Sequence, residues 1–353
     1  MMQTFTDLAE RTHLLWLQRL SLSSSDYISL SQLKQHDYRL LQSVRLCQRY
    51  LGQDNAELPC WLSAVLDNSV AAIDKLLALP LALPAQVLLA ELWLALQHKT
   101  AAHYLEQYNR TEQSQLVCLL AGKPAAAGLY PAMKRLDLRS AIQLAGRCGL
   151  TAECTDLQQL ATERALDAAA LAELNYNLYL LGQTADELNL VQQLQRADCL
   201  TPRQLQFLLL AASAEQKVQI VNALCLTDSS LAINAMGFSG QSKFLPLLLE
   251  LSKQPAHQAA AQSALITMLG TTVPGNITAE TLQRELQAET APALISNQSL
   301  IAGKPLAGLD LAALWANGNQ YHRFAAAALR VLRQPGLALA EPNNWQGGVW
   351  PVA

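Results

Sequence analysis

The stretch Leu231–Leu269 constrains the fold more than any other part of the sequence, because it reads as three helices separated by short breaks. Its large apolar residues recur at intervals of three and four, the spacing of one buried helical face; they are Ile233, Met236, Phe244, Leu247, Leu248 and Leu251. Gly237 and Gly240 are expected to end the first helix, since glycine adopts the left-handed backbone that closes a helix. Ser242 is expected to cap the second helix, and Pro255 precedes a third, alanine-rich one. This arrangement predicts one unit of a stacked α-solenoid.

Two earlier segments repeat the design. Gly149 and Gly182 are each followed, two residues on, by a threonine and then by an acidic residue. A threonine hydroxyl and an early carboxylate both favour a helix N-terminus, so these threonines are predicted caps. Gly149 and Gly182 lie 33 residues apart, as do Gly237 and Gly270, whereas the interval between Gly182 and Gly237 is irregular. Inside that interval, Thr201 followed by Pro202 predicts the start of another helix, with threonine as the cap. The period favours HEAT repeats, because the TPLH signature of ankyrin repeats is absent from the sequence.

The sequence therefore predicts an all-α protein, a HEAT- or armadillo-like α-solenoid with atypical helical caps at both ends. Leucine and alanine dominate, which suits closely packed helices. Four regions are expected: an N-terminal helical cap (1–55), a HEAT-like repeat array (56–270), a C-terminal helical region (271–336) and an extended tail packed on the last repeats (337–353).

The N-terminal cap contains a second helix, after a serine-rich connection, that carries more basic than acidic residues. The basic residues are Lys34, Arg39, Arg45 and Arg49. A solvated helix face explains this pattern, and an edge that binds a partner is the alternative.

Composition restricts the functional classes. A net charge of −3 and a pI near 6.1 argue against a nucleic-acid binder, which needs a basic stripe. Seven scattered cysteines, an odd number, fit reduced and buried thiols of a cytoplasmic protein, and the acidic start does not resemble a secretory signal. The apolar stretch Leu76–Trp93 is interrupted by Pro80 and Pro84, so two buried helices, ending near Leu79 and starting at Pro84, are predicted instead of a membrane span.

No constellation of catalytic residues is evident. His98 and His103 are five residues apart, which places them on different helical faces, and no HExxH or GxSxG motif occurs. The AGKP segments at Ala121–Pro124 and Ala302–Pro305 lack the spacing of a phosphate loop, and each is predicted to be a helix end followed by a proline start. We therefore expect no enzyme activity, no cofactor and no metal site.

Candidate protein-binding residues concentrate near the C-terminus. One set lies on the last predicted helix, residues 320–333, and the other lies in the tail; together they are Tyr321, Arg323, Arg330, Trp345 and Trp350. Arginine and aromatic side chains are frequent anchors at protein interfaces. A solvated basic helix end is the simpler interpretation of the two arginines. The tail is expected to dock, because exposed tryptophan is costly.

The order of several segments resembles a bacterial family of HEAT-repeat-like proteins encoded with type VI secretion systems. The segments are HLLWLQR (His13–Arg19) followed by Tyr27, Leu30, Leu33 and HDYRL (36–40), AINAMGFSGQSKFLPLL (232–248), AGKPL (Ala302–Leu306), LAALWANGNQYHRFAAAALRVLRQPG (Leu311–Gly336) and Trp345. The resemblance spans the chain. Members of that family are encoded among spike proteins, effectors and their helpers, and no catalytic residues carry over from them.

The resemblance and the repeat pattern together imply a non-enzymatic protein-binding scaffold, a cytoplasmic type VI secretion accessory protein that acts as adaptor or chaperone for an effector or spike component. The alternative is an immunity protein that binds and occludes a cognate toxin. A third hypothesis is an enzyme or nucleic-acid binder built on a HEAT scaffold, which requires a basic concave groove with a buried acid.

Overall fold

A computed structural model describes residues 2–23, 25, 28–50, 58–67, 72–96, 120, 123–163, 166–270 and 299–345. These residues are almost entirely helical, which confirms the predicted all-α class. The chain forms two compact units. Unit 1 comprises residues 1–159 and 336–353, and unit 2 comprises residues 160–335.

The helices in chain order are α1 (Met2–Leu22), α2 (Leu30–Tyr50), α3 (Cys60–Leu66), α4 (Ala72–Leu77), α5 (Leu83–Leu96), α6 (Lys123–Leu136), α7 (Leu138–Cys148), α8 (Cys154–Glu163), α9 (Ala168–Leu180), α10 (Glu187–Arg196), α11 (Pro202–Ala211), α12 (Ala214–Cys225), α13 (Ser229–Ser239), α14 (Leu245–Leu251), α15 (Gln258–Leu269), α16 (Leu311–Asn317) and α17 (Gln320–Arg333). Two short strands, β1 (Leu300–Ile301) and β2 (Lys304–Pro305), pair antiparallel. Within the described residues, three 3₁₀ turns cover Thr151–Glu153, Ser242–Phe244 and Leu306–Gly308.

The core of unit 1 is built on the antiparallel pair α1 and α2. The Thr12 hydroxyl, early in α1, is 2.7 Å from the Ser43 hydroxyl, late in α2. On the same side of α1, the Trp16 ring stacks on the Trp61 ring of α3 with centroids 5.3 Å apart. Trp16 is almost fully buried, so this stacking joins the first three helices into one core.

The apolar stretch that resembles a membrane span is broken as predicted. α4 ends at Leu77 and α5 begins at Leu83, so Pro80 lies in the connection and Pro84 occupies the first turn of α5. Proline is tolerated in a first turn because the N–H groups there have no partner within the helix. Among the described residues, none of the helices combines the length and the apolar composition that a bilayer crossing requires.

The predicted helix caps are partly correct. Thr201 caps α11 in a capping box with Gln204, with Pro202 at the first helical position, as the sequence predicts. Asp186, however, caps α10 by accepting from the N–H three residues on, so the prediction that Thr184 is the cap is wrong. Thr151 begins a 3₁₀ turn without a side-chain cap.

The two glycines of the central segment play different parts. Gly240 ends α13 in the left-handed conformation, with φ of +65°, as predicted. Gly237 lies inside α13, and a Cβ there would come within 2.8 Å of the Ala264 Cα, so glycine permits α13 and α15 to approach closely. Ser242 begins a 3₁₀ turn without capping it through its side chain, which contradicts the predicted cap.

Side-chain hydrogen bonds in unit 2 join residues about one repeat apart. The intervals are 28 residues for Gln206 with Asn234, 30 for Gln216 with Asp186, 31 for Gln204 with Glu173 and 32 for Gln195 with Thr227. These bonds connect α9 with α11, α11 with α13, and the α10 segment with the α12 segment. Direct packing of α13 on α15 continues the first series. Helices α9, α10, α11 and α13 therefore each contact the helix that follows two places later in the chain.

The strands β1 and β2 form a small hairpin over the ends of two helices in unit 2. Ala302 N–H donates to Thr267 O at 3.0 Å, and Gly303 N–H donates to Met268 O at 2.8 Å. These carbonyls belong to the last turn of α15, where no intrahelical N–H can reach them. The prediction of a helix end and a new helix start at Ala302–Pro305 is therefore wrong, because the segment is a strand turn that caps α15.

The observed division of the chain differs from the predicted regions. The predicted boundaries after residues 55 and 270 fall inside the two units, and the division instead follows residues 159 and 335. The tail belongs to unit 1, where its hydrogen bonds run to α1, α5 and α7 rather than to the last repeats as expected. A helix predicted at 279–289 lies outside the described residues.

Candidate protein-binding surface

Helix α2 buries one face against its neighbours and exposes the other. Its buried apolar residues repeat at intervals of three and four and face α1, α3 and α5; they are Leu30, Leu33, Leu40, Leu41, Val44 and Cys47. The opposite side, here called the α2 outer face, consists of Lys34, Tyr38, Arg39, Arg45, Leu46, Arg49 and Tyr50. Helical spacing places these residues in two adjacent rows, because intervals of four, seven and eleven return to the same side of a helix.

The α2 outer face presents large apolar and aromatic side chains to solvent. Tyr38 is 60% exposed, Leu46 is 45% exposed and Tyr50 is 54% exposed. Of nine large hydrophobic side chains that are strongly exposed among the described residues, these three lie on one helix face. Tyrosine on a surface offers a large contact area at a small cost in conformational entropy.

The charge of the α2 outer face has one sign. The only acidic residue of α2 is Asp37, which is buried and paired with Arg19. Burial, followed by the positive charges of Arg19 and Arg39, lowers the pKa of His36. The Arg49 guanidinium lies 5.4 Å from the Tyr50 ring centroid, within the range of a cation–π contact. The helix therefore carries exposed cations beside exposed aromatic rings.

This combination suits an acidic protein surface. Interfaces are enriched in tyrosine and arginine, which supply most of the binding free energy, and complementary charge raises the association rate. A nucleic-acid backbone would require a longer basic track than one helix supplies. The sequence indicated the four cations, but the burial of Asp37, the one acidic residue of α2, became evident from the structure.

The residues predicted on the last helix do not form one surface. Arg323 is fully buried, and its predicted role as a surface anchor is therefore excluded. Tyr321 is half-buried and contacts the Phe238 ring edge to face at 6.0 Å, so it supports the packing of α17 on α13. Arg330 is half-buried near the end of α17. His322, next to Arg323, is also buried, and its Nε2 lies 3.0 Å from Ile266 O.

Trp345 occupies a different unit from these residues. Its N–H donates to a carboxylate oxygen of Glu91 at 2.6 Å, and its side chain is half-buried. Trp350, the last of the predicted anchors, lies outside the described residues.

The tail docks on a buried ion pair that the sequence interpretation missed. The Arg19 Nε donates to Asp37 Oδ1 at 2.5 Å, and both side chains are fully buried. The Arg19 Nη2 donates to the main-chain oxygens of Asn343 and Asn344, each at 3.0 Å. A signal exists in the sequence, because Arg19 and Asp37 each occupy the apolar row of their helix.

Glu91 completes this cluster. Burial raises the pKa of its carboxyl to about 7, against the lowering effects of the Trp345 N–H and of Arg19 and Arg147. The main-chain oxygen of Arg147 accepts from Leu339 N–H at 2.8 Å. We call this oxygen, Arg19 and Glu91 the tail-binding site.

Unit 2 contains a buried cation without a carboxylate partner among the described residues. The Lys217 ammonium donates to the Ser299 hydroxyl at 2.9 Å, and the Gln241 amide donates to the same oxygen at 2.9 Å. Burial lowers the pKa of Lys217 to about 8. The bond fixes the residue that precedes β1. The sequence indicates the burial of Lys217, because this lysine lies in the same helical row as Ile220 and Leu224. It does not indicate the bond to Ser299, which is 82 residues away.

The described part of the chain contains histidine and cysteine side chains that were considered as metal ligands or reactive thiols. It contains no group of three or more His, Cys, Asp or Glu side chains placed to hold a metal ion. The described cysteines are free, and Cys60 and Cys225 are exposed, contrary to the expectation that the thiols are buried. His98, His103 and Cys118 lie outside the described residues.

Comparison with known proteins gives no relative. No family profile matches the chain, and neither a curated protein nor a solved structure matches it.

Proposed function

We propose that the protein is a non-enzymatic helical scaffold that binds an acidic protein partner through the α2 outer face. The observation that carries the proposal is the exposure of Tyr38, Leu46 and Tyr50 beside cations that no exposed acid of α2 neutralises. Desolvated aromatic anchors within a rim of charge are the usual source of affinity at protein interfaces.

A solenoid of HEAT type is the architecture we propose for unit 2. The support is the series of side-chain bonds at intervals of 28 to 32 residues, which join α9 with α11, α11 with α13 and the α10 segment with the α12 segment. Such spacing is expected when two-helix repeats stack in register. The intervals are slightly shorter than the 33 residues predicted from the glycines.

The setting we propose is type VI secretion, with an effector or a spike component as the partner. This part of the proposal rests on the resemblance of both chain ends and the central segment to that family. The α2 outer face would then supply the recognition, and cations would steer an acidic partner toward it.

Charge reversal tests the surface. The partner to test is the acidic protein among the effector and spike proteins encoded beside the gene. The double variant Arg39→Glu/Arg49→Glu should weaken its binding by at least about tenfold, because the association rate falls and two arginine contacts are lost. Arg135→Glu/Lys304→Glu is the matched control, because it changes the net charge equally at exposed cations outside α2. Calorimetric titration at low and high salt measures both. Equal affinity of the two double variants would refute the proposal.

Gene deletion separates the adaptor from the immunity protein, which would use the same surface to occlude a toxin. For an adaptor, deletion should silence delivery of the effector while the cell survives. For an immunity protein, deletion should kill the cell when the adjacent toxin gene is expressed. The α2 charge reversal should reproduce whichever phenotype the deletion shows.

A further inference from the structure

The outer sides of α1 and α2 concentrate exposed apolar side chains. Of the nine large hydrophobic side chains that are strongly exposed among the described residues, five lie on these two helices. Tyr38, Leu46 and Tyr50 belong to the α2 outer face, and the other two, Leu14 at 59% exposure and Leu17 at 47%, belong to α1. Both helices are in unit 1, where they pack against each other. Exposed apolar side chains gathered on one helical hairpin are typical of an interaction surface.

The exposed side of α1 is a regular stripe, here called the α1 outer face. Its residues follow one another at intervals of three and four, and all are exposed; they are Asp7, Glu10, Leu14, Leu17 and Ser21. The buried residues on the opposite side of this helix have the same spacing; they are Ala9, Thr12, Trp16 and Arg19. Such spacing is that of helices that pack along their length. Helix α1 therefore has two stripes suited to helix packing, and one of them faces solvent.

The two outer faces differ in the sign of their charge. Both acidic residues of α1, Asp7 and Glu10, lie in the α1 outer face, with the exposed Arg11 beside the stripe. The α2 outer face carries four cations and no acidic residue. Contact between two α2 outer faces would bring like charges together, whereas an α1 outer face would bring opposite charges to an α2 outer face. Charge therefore selects the second kind of contact.

The packing of α1 on α2 fixes which residues lie at the same height of the hairpin. The hydroxyl groups of Thr12 and Ser43 are 2.7 Å apart, so these two residues are level. The helices are antiparallel, and a step forward along α1 corresponds to a step back along α2. Leu17 is therefore level with Tyr38, and Asp7 is level with the C-terminal turn of α2.

A two-fold axis parallel to the hairpin preserves these levels. Two-fold dimers are the commonest homo-oligomers, and each of their contacts occurs twice. Rotation about such an axis places α1 of one copy against α2 of a second copy, with residues of equal height opposite each other. Leu17 then faces the second copy's Tyr38, while Asp7 and Glu10 face the end of its α2 that carries Arg49. Apolar side chains thus meet apolar side chains, and acids meet cations.

The hairpin is large enough for a dimer interface. Each helix has 21 residues, which gives a length of about 31 Å, and two packed helices are about 20 Å wide. A face of roughly 600 Å² on each copy would bury about 1,200 Å² in total, at the lower end of the range for specific interfaces. We therefore expect a reversible dimer with a Kd of about 1–100 μM.

We infer that the protein forms a two-fold dimer in which the α1 outer face of each copy packs on the α2 outer face of the other. The acidic partner of the proposed function would compete with the second copy for the α2 outer face. That competition rests on the proposed function, whereas the dimer does not.

Charge reversal on each face, followed by mixing, tests the dimer. Asp7→Lys places a cation opposite the second copy's Arg49, and Arg49→Glu places an acid opposite its Asp7. Each change occurs twice in the dimer, so each variant alone should dimerise at least about tenfold more weakly than the wild type. An equimolar mixture of the two should dimerise within about threefold of the wild-type affinity, because both of its contacts again join opposite charges.

Sedimentation velocity of the full-length chain at low salt, up to about 500 μM, measures the dimer. Glu250→Lys and Arg135→Glu are the matched controls, because they make the same changes of charge at exposed positions outside α1 and α2. They should leave the affinity within about twofold of the wild type. Salt at about 500 mM should weaken the wild-type dimer, since it screens the exposed pairs.

Three results would overturn the inference. They are a wild-type chain that stays monomeric up to about 500 μM, a dimer that survives both charge reversals, and a mixture of the two variants that does not dimerise. A dimer that binds neither the effector nor the spike protein in the calorimetric titration would refute the proposed function alone. A chain that binds one of them but stays monomeric would refute this inference alone.

Discussion

The two units bury polar groups in different ways. Unit 1 buries charges, with Arg19 against Asp37 and Glu91 close by, and it draws on residues from opposite ends of the chain. Unit 2 mostly buries amides and hydroxyls, which pair at regular intervals such as that between Gln206 and Asn234. The regular bonds, two of which use the carboxylates of Glu173 and Asp186, hold successive helices in register, whereas Arg19 of the buried ion pair in unit 1 holds the tail.

The difference has an energetic consequence. A neutral pair contributes about 1 kcal/mol, and its loss leaves a group that is inexpensive to solvate. A buried ion pair contributes little net stability, but the loss of one partner leaves a charge that neither water nor protein compensates. The buried ion pair of unit 1 should therefore be more sensitive to single changes than a neutral pair of unit 2 such as Gln206 with Asn234.

The largest effect is expected for Asp37→Ala. This change leaves the fully buried Arg19 without its carboxylate and should lower the free energy of unfolding by about 3–5 kcal/mol. Urea unfolding followed by circular dichroism measures the loss. Asp7→Ala, at an exposed position of the partner helix, is the control and should change stability by less than about 0.5 kcal/mol.

The next effect is an opposite pH response of the two units. Burial raises the pKa of Glu91 to about 7, so its contribution to stability is full below its ordinary pKa and is lost as the pH rises through 7. Burial, opposed by bonds to Thr267 and Ile266, lowers the pKa of His322, so its contribution is present above pH 6.5 and is lost on acidification. Acidification should thus favour unit 1 and disfavour unit 2.

Hydrogen exchange, corrected for intrinsic rates, measures the two responses separately. The protection of the α5 amides reports on unit 1 and that of the α15 amides on unit 2, each compared between about pH 5 and pH 7. Glu91→Gln should remove a change on the order of 2 kcal/mol between these two pH values from unit 1 and none from unit 2. Burial lowers the pKa of His36 in unit 1, so this histidine changes the stability of the unit with pH in the direction opposite to Glu91. The quantity to compare is therefore the difference between the variant and the wild type. Equal pH profiles for the two proteins would contradict the role of Glu91.

A smaller effect on stability is expected for the neutral pair of Gln206 and Asn234. Gln206→Leu removes the bond to Asn234 and should cost about 1–2 kcal/mol at a buried site. The loss should be the same from about pH 5 to pH 8, since neither side chain titrates. A loss as large as that of Asp37→Ala would break the distinction between the units.

The smallest effect is expected for the exposed ion pair of Lys253 and Glu250, which lie three residues apart in unit 2. Glu250→Ala should change stability by less than about 0.5 kcal/mol, because solvent screens both charges. Thermal unfolding at low and high salt should give the same small difference. A loss above about 1 kcal/mol would show that charge matters in unit 2 as it does in unit 1.

Local features of the fold could be predicted from the sequence. The Thr201–Pro202 start of α11 was predicted correctly because a cap, a proline and a glutamine three residues after the cap act within one turn. The cap of α10 was missed because Thr184 and Asp186 are both good caps, and the choice depends on where the preceding turn ends. The all-α class follows from periodicity alone.

Non-local features could not be predicted in the same way. The docking of the tail was expected, but its location depends on Arg19, more than three hundred residues away. Arg323 was expected on a surface because arginine is seldom buried, and its full burial reflects the packing of a whole helix. The absence of an acidic residue from the α2 outer face depends on which side of α2 Asp37 occupies. The apolar residues in the same row of the helix indicate that this side is buried.

The bond between Arg19 and the tail also sets an order of events during synthesis. Arg19 leaves the ribosome early, but Asn343 and Asn344 follow 324 and 325 residues later, which takes about 15–60 s at typical translation rates. Unit 2 is encoded entirely within that interval, so we expect it to fold while the first helices still wait for their last segment. A chain truncated just before residue 343 would hold a complete second unit and an unsealed first one.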